Sequence, residues 1–330
     1  MRSSFPGNSL IRVGAVAVGT VIILVDACGK PPVQLAPPPA AAAAAYVALA
    51  GASVFIGAGD IATCGETGAA RSAHVVDSVL RADSVAKVDD AVFSIGDNVY
   101  ESGTGLEFID CWGTTWGDPK KGIMKKIHPV PGNHEYLSPG ADPYYAYFGK
   151  AAGTPGQGYY SYTLGQWHVQ ALNSEIFVNR GFSAKDRQDQ LDWVAQDLKS
   201  SGKLCTVVYF HHPRFSSGWH GSDSRLQPLW QVLYDNNVDL VLNGHDHDYE
   251  RFSAQTPAGI PDTTRGITQF VIGSGGTELR EFKNTIERNS LTRISSRIGV
   301  LILTLGKNEY RSAFLDVNGR IEDPSGGKCH

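Results

Sequence analysis

Five short stretches of the 330-residue sequence end in side chains that bind metal ions. They are Gly59-Asp60, Gly96-Asp97-Asn98-Val99-Tyr100, Gly132-Asn133-His134-Glu135, Val208-Tyr209-Phe210-His211 and Gly244-His245-Asp246-His247. Their donors are oxygen and nitrogen with no thiolate, a mixture suited to hard or borderline cations such as Fe, Zn or Mn. Such ions take carboxylates and imidazoles in deprotonated form, and one carboxylate can bridge two ions. Asp97, between the early and middle motifs, is the natural bridge, and Asn133 offers a neutral carbonyl oxygen. His245 and His247 sit two apart, so on extended backbone they line one face, and they can serve one metal each. Two ions held about 3.5–4 Å apart activate a water and clamp a transferring phosphoryl group. The chemistry expected of this set is hydrolysis of phosphate esters.

The segments around these residues explain how they could meet. Apolar runs at residues 53–57, 91–95, 129–131, 205–210 and 238–242 each lead into one of the motifs. In open α/β sheets ligands bind beyond the carboxyl ends of strands, so strands placed side by side would bring the five loops to one edge. Residues 67–81 space Ala70, Ala73, Val76, Val79 and Leu80 as a helix would. Ser183 with Asp186 three residues on marks the start of a second helix through Leu191, Val194 and Leu198. Residues 226–236 read as a third. Runs at 159–164 and 168–173 read as paired strands, and 267–272, 300–305 and 310–315 complete the set. These later strands predict a second sheet packed on the first. The aromatic cluster Tyr144, Tyr145, Tyr147 and Phe148 reads as core.

With these motifs in this order, the chain resembles the purple acid phosphatases within the calcineurin-like metallophosphoesterases, over residues 50–318. Related phosphoesterases carry Asp-x-His in the first motif; here it is Asp60-Ile61-Ala62. Tyr100, three residues after the second Asp, is the purple subclass's mark. The resemblance implies one metal on Asp60, Asp97, Tyr100 and His247, and another on Asp97, Asn133, His211 and His245. It implies Fe(III) at the first and Fe(II), Zn or Mn at the second. The implied fold is α/β (α+β): a four-layer αββα sandwich of two mixed β-sheets flanked by helices, with the dimetal site at the carboxyl ends of strands. The implied reaction is attack of a metal-bound hydroxide on a phosphate monoester. A phosphodiesterase or nucleotide hydrolase on the same site is the alternative, and a non-catalytic binding module a more distant one. His134, beside Asn133, is the first candidate to contact phosphate or assist the leaving group, and His220 the second. Plant members carry two adjacent histidines in that region, whereas here Gly221 follows His220. His212 follows a ligand and could orient it. Glu135 and Arg251 are expected to buttress the loops or contact substrate.

The amino-terminal residues differ in kind. Arg2 and Arg12 precede an apolar run at 13–25, which suits a signal-peptide core and is short for a membrane span. Val25-Asp26-Ala27-Cys28 resembles a bacterial lipobox, in which the Cys is lipidated after export; Asp26 departs from the small or apolar residue usual there. The expected organisation is a lipoprotein-type signal peptide at 1–27, a Pro/Ala-rich linker at 28–48 and the phosphoesterase domain at 49–330. The expected location is periplasmic or extracellular, with membrane contact only through a lipid on Cys28. Export permits disulfides among Cys64, Cys111, Cys205 and Cys329, and four cysteines allow three pairings. Cys64 and Cys111 each follow one of the first two metal-bearing loops, which favours that pair and leaves Cys205 with Cys329. The net charge of −4 lacks the basic footprint that a nucleic-acid partner requires.

Overall fold

Residues 51–330 are described in a computed structural model; the segments expected to be a signal peptide and a linker, and Cys28, lie outside them. The strands run β1 (Ser53–Ala58), β2 (Ala62–Thr63), β3 (Asp90–Ile95), β4 (Val99–Tyr100) and β5 (Ile127–Val130). Next come β6 (Tyr160–Leu164), β7 (Trp167–Ala171), β8 (Cys205–Tyr209), β9 (Leu240–Asn243) and β10 (Tyr249–Phe252). The last are β11 (Thr268–Ile272), β12 (Ser290–Ile294), β13 (Gly299–Leu305), β14 (Glu309–Asp316) and β15 (Ile321–Lys328). The longer helices among the described residues are α1 (Gly68–Ala86), α2 (Asp142–Phe148), α3 (Ala184–Ser200) and α4 (Gln227–Asp235).

One sheet has the order β15-β14-β13-β1-β3-β5 and the other β12-β10-β11-β9-β8-β7-β6, with β2 and β4 paired separately. Both sheets are mixed: β1, β3 and β5 run parallel, as do β7, β8, β9 and β11, while their outer neighbours are antiparallel. β1, β3 and β13 are buried along their whole length, as strands covered on both faces must be. Helix α1 lays Ala73, Val76, Val79 and Leu80 against the first sheet. Helices α3 and α4 cover the second with Val194, Leu198, Leu229, Trp230 and Leu233, packed on Val208 and Val241. The period of two along β8 divides its residues: Val207 and Tyr209 join the cluster between the sheets, Val208 the cluster under the helices. Phe55, Phe93 and Tyr209 meet there with ring centroids 4.5 to 6.1 Å apart. The result is the four-layer αββα arrangement.

Two local expectations are met. Ser183 and Asp186 form a reciprocal capping box: Ser183 Oγ accepts from the Asp186 N–H (3.2 Å), and Asp186 Oδ2 from the Ser183 N–H (2.7 Å). The cysteines pair as Cys64–Cys111 and Cys205–Cys329, with Cα separations of 5.0 and 5.3 Å. Strands β2, β4, β10, β12 and β15 are not among those expected. β15 carries Asp323, Pro324, Gly326 and Gly327, residues that disfavour strands. β15 is an edge, where proline is tolerated, and it takes its register from β14. Among the described residues no helix is long and apolar enough to cross a membrane.

Candidate metal centre

Tyr100 ends the short strand β4, and every other ligand candidate sits just beyond a strand of one of the two sheets, which brings both sheets' loops together. Asp60 follows β1, Asp97 follows β3 and Asn133 follows β5 in the first sheet. His211 follows β8 in the second sheet, and His245 and His247 follow β9. Asp60, Asp97 and His245 have φ of 59°, 46° and 71°, a left-handed conformation uncommon outside glycine and costly where it occurs. Neighbours hold them there. The Asp60 N–H donates to the Gly96 carbonyl (3.1 Å), and the His245 N–H to Asp60 Oδ2 (2.9 Å). Gly132 permits a close approach to Asp97, since a Cβ there would lie 2.3 Å from Asp97 Oδ1.

The donor atoms form two groups that share one carboxylate. The Tyr100 hydroxyl lies 2.9 Å from Asp60 Oδ1, 3.2 Å from Asp97 Oδ2 and 3.1 Å from His247 Nε2. His211 Nε2 lies 3.2 Å from the same Asp97 Oδ2, 3.1 Å from Asn133 Oδ1 and 3.2 Å from His245 Nδ1. Asp97 therefore stands between the two groups. The far nitrogens of two imidazoles are committed: His211 Nδ1 lies 2.8 Å from the Ile95 carbonyl and His247 Nδ1 2.7 Å from that of Glu278. A carbonyl only accepts, so each Nδ1 carries the hydrogen and each Nε2 lone pair faces the cluster, as ligating histidines require.

The electrostatics of the protein groups alone call for added positive charge. Burial and then the neighbouring Asp97 raise Asp60 well above the usual carboxylate range, although His211 opposes the shift. Burial would also raise Asp97, but the His211 imidazole overrides it and holds Asp97 low. Burial would lower His211, yet the Asp97 charge drives it up to about 10. Tyr100 is raised well above its ordinary value, by burial and then by Asp60 and Asp97. His247 falls to about 4 through burial and then the Arg280 charge. Two carboxylates, a phenol, an amide oxygen and three imidazoles at these distances fit two oxygen- and nitrogen-preferring cations. Asp60, Asp97 and His211 bring three ligand atoms within 4.8 Å of one another, and so do His211, His212 and His245.

The remaining candidates divide by position. His134 is partly exposed. Its Nδ1 lies 2.5 Å from the Glu101 carbonyl, and its Nε2 3.8 Å from Asp97 Oδ2. His220 is exposed, with its ring 4.1 Å from that of His245. His212 is buried, its Nδ1 3.0 Å from Ser174 Oγ and its ring 4.3 Å from His245, so it backs the ligands. Glu135 is buried and spends both oxygens on main-chain N–H groups. It accepts from Asn98 (2.8 Å) and Gly132 (2.8 Å), which ties the second motif to the third. Arg251 does not reach the centre: its Nε and Nη2 donate to Asp323 on β15, each at 2.7 Å. Arg251 has the same parity as the ligands His245 and His247 but lies farther along, on β10, where Asp323 takes its guanidinium. Asp246 and Glu250 grip the loop at 216–221. Asp246 accepts from the His220 and Gly221 N–H groups (2.6 and 3.1 Å) and Glu250 from that of Ser217 (2.7 Å). Ser174, Glu278 and Arg280 were not anticipated, because each reaches the centre from a segment with no motif of its own.

A fold of two mixed sheets with this donor set at their joined carboxyl edges is that of a metal-dependent phosphoesterase. Residues 53–249 match the family described as calcineurin-like phosphoesterase, and the chain belongs to it. It is 27% identical over 236 residues to acid phosphatase type 7 of Homo sapiens, covering 61% of this chain and 51% of that protein. It is 29% identical over 147 residues to purple acid phosphatase 18 of Arabidopsis thaliana, covering 42% of this chain and 32% of that one. The chain thus spans between a third and a half of the length of these relatives. In fold it is similar to a purple acid phosphatase, PPD1, from yellow lupin (Lupinus luteus) seeds: TM-score 0.68 at 17% identity, over 85% of this chain and 54% of the other.

Proposed function

We propose that the chain is an exported dimetal phosphoesterase that hydrolyses phosphate monoesters, with Fe(III) in the Tyr100 group and Fe(II), Zn or Mn in the other. The observation that carries this reading is the placement of Asp97 Oδ2, 3.2 Å from both the Tyr100 hydroxyl and His211 Nε2. One carboxylate shared by a phenol-bearing group and an imidazole–amide group suits two unlike metals. When bound, such ions would activate water and neutralise the phosphoryl oxygens.

The chain's own residues supply the rest. Asp60, Asp97, Tyr100 and His247 would hold one ion, and Asp97, Asn133, His211 and His245 the other. Carbonyls of Ile95 and Glu278 fix the tautomers of His211 and His247. His134 keeps its Nε2 beside Asp97 on the open side, where it can contact the phosphate or carry the proton to the leaving oxygen. The names of the relatives agree with a phosphatase, and the two disulfides agree with an oxidising compartment. A lipid on Cys28 would add a tether at the membrane surface.

The test is metal content, a visible spectrum and p-nitrophenyl phosphate turnover on one preparation. Two metals per chain including iron, a purple band and turnover are expected. Two metals without iron would remove the purple subclass. Metal without monoester turnover would move the assignment to diesters or nucleotides.

A further inference from the structure

The segment at residues 276–289 carries none of the metal motifs, yet it is fastened to both sides of the centre's open face. The Arg280 N–H donates to the His247 carbonyl (3.1 Å), and the Lys283 N–H to the Ser217 carbonyl (2.9 Å). The first bond fixes Arg280 to a ligand-bearing strand end. The second fixes the segment to the loop that carries His220. Arg280 Nη1 then lies 2.8 Å from His220 Nε2, while the His220 ring lies tilted 4.1 Å from that of His245.

A guanidinium has only donors, so in this contact His220 Nε2 accepts. A nitrogen that accepts from Arg280 has no proton of its own to offer. The cation at this edge is therefore Arg280, with the imidazole as its support. Five N–H donors radiate from a guanidinium, and among the described residues the Arg280 side chain makes no hydrogen bond other than the one to His220. Lys283 adds a second cation, its Nζ donating to the His220 carbonyl at 3.1 Å. Gly221 makes room for it: φ is +83° there, and a Cβ would lie 2.6 Å from Lys283 Nζ. A side chain at position 221 would be strained by that φ and would have to displace the lysine.

We propose that Arg280 binds the non-bridging oxygens of the substrate phosphoryl group, and that His220 is a positioning residue that holds the guanidinium at the rim. This rests on the phosphate-ester reading of the centre. Its physical basis is the fit of a planar, permanently charged fork to phosphate oxygens, which a lysine ammonium does not reproduce.

The test uses the full chain loaded with metal, with metals counted in wild type, Arg280→Ala, Arg280→Lys and His220→Ala. Inorganic phosphate is titrated calorimetrically into each, and KM and kcat for p-nitrophenyl phosphate are measured beside it. Arg280→Ala is expected to keep both metals and weaken phosphate binding roughly 10–100-fold, the worth of a charge-assisted hydrogen bond. KM should rise more than kcat falls. Arg280→Lys should recover only part of the loss, and His220→Ala should lose less than Arg280→Ala. Wild-type phosphate affinity in a fully metallated Arg280→Ala would overturn the proposal, as would a His220→Ala defect equal to or larger than that of Arg280→Ala. If the wild type turned over no monoester, the monoesterase reading would fail by itself. Arg280-dependent phosphate affinity would still support the contact.

Discussion

Tyr100 decides between kinds of dimetal site. Its hydroxyl is buried among Asp60, Asp97 and His247, and burial followed by the two carboxylates makes the phenol harder to ionise. Only a strongly charged cation at that oxygen would favour the phenolate. Tyr100→Phe is expected to abolish a visible tyrosinate-to-iron band and leave turnover at least partly intact; a band that survives would place the absorbing iron elsewhere. Asp97 has a different role, because one of its oxygens faces both donor groups. Asp97→Asn is expected to lose both metals and nearly all activity, checked by metal analysis on the folded variant. Two ions still bound would rule out the bridge. Both residues were legible in the sequence, as polar donors placed just after apolar runs. Arg280 was not: its position depends on a main-chain bond to His247 across a long stretch of intervening chain, and no local pattern records that.

The elements that carry these residues were legible in proportion to their burial. β1, β3, β8 and β9 are short apolar runs ending in a polar donor, and burial requires such runs. β15 is at an edge and needs no apolar face, so its sequence carries no strand signal. Helix α1 shows a further limit. Its spacing predicts an end at Arg81, but the helix runs to Ala86, and Lys87 closes it with a left-handed φ of 56°. The extra turn buries Asp83, whose carboxylate oxygens have no hydrogen-bond partner. Burial, and then repulsion from Asp90, pushes Asp83 up from 3.8 to about 7. The folded chain thus holds this proton more tightly than the unfolded chain does. Asp83's contribution to stability is largest at pH below the unfolded value and is lost as pH rises through about 7. The loss is at most about 4 kcal/mol, from roughly 1.4 kcal/mol per unit. Asp83→Asn is expected to melt higher than wild type at pH 8, with the gap narrowing toward pH 5. A gap that does not change with pH would show that Asp83 does not titrate in this range.

At the scale of the whole molecule, the centre is also a joint between the sheets. Each proposed ion would draw ligands from both: Asp60, Asp97 and Tyr100 lie after β1 and β3 in one sheet, and His247 after β9 in the other. The second ion would take Asp97 and Asn133 from the first sheet and His211 and His245 from the other. The opposite margin is joined covalently, since Cys205 begins β8 in the second sheet and Cys329 follows β15 in the first. A loop of 124 residues closed by a disulfide constrains the unfolded chain by about 5 kcal/mol in the loop-entropy account. The outer cluster under α3 and α4 depends on neither joint. Removing the metals should therefore loosen one edge and leave the fold standing. An ion present at a hundred times its dissociation constant stabilises by about 2.7 kcal/mol, so stripping two should lower the melting temperature by about 10 °C. Hydrogen exchange should rise at residues 59–61, 96–101, 132–135, 211–221 and 244–248. Exchange in α3 and α4 should stay near that of the loaded protein. Uniform acceleration across both sheets and α3–α4 would mean that the metals hold the whole fold, and no change at the five loops would mean that they are not bound where these side chains converge.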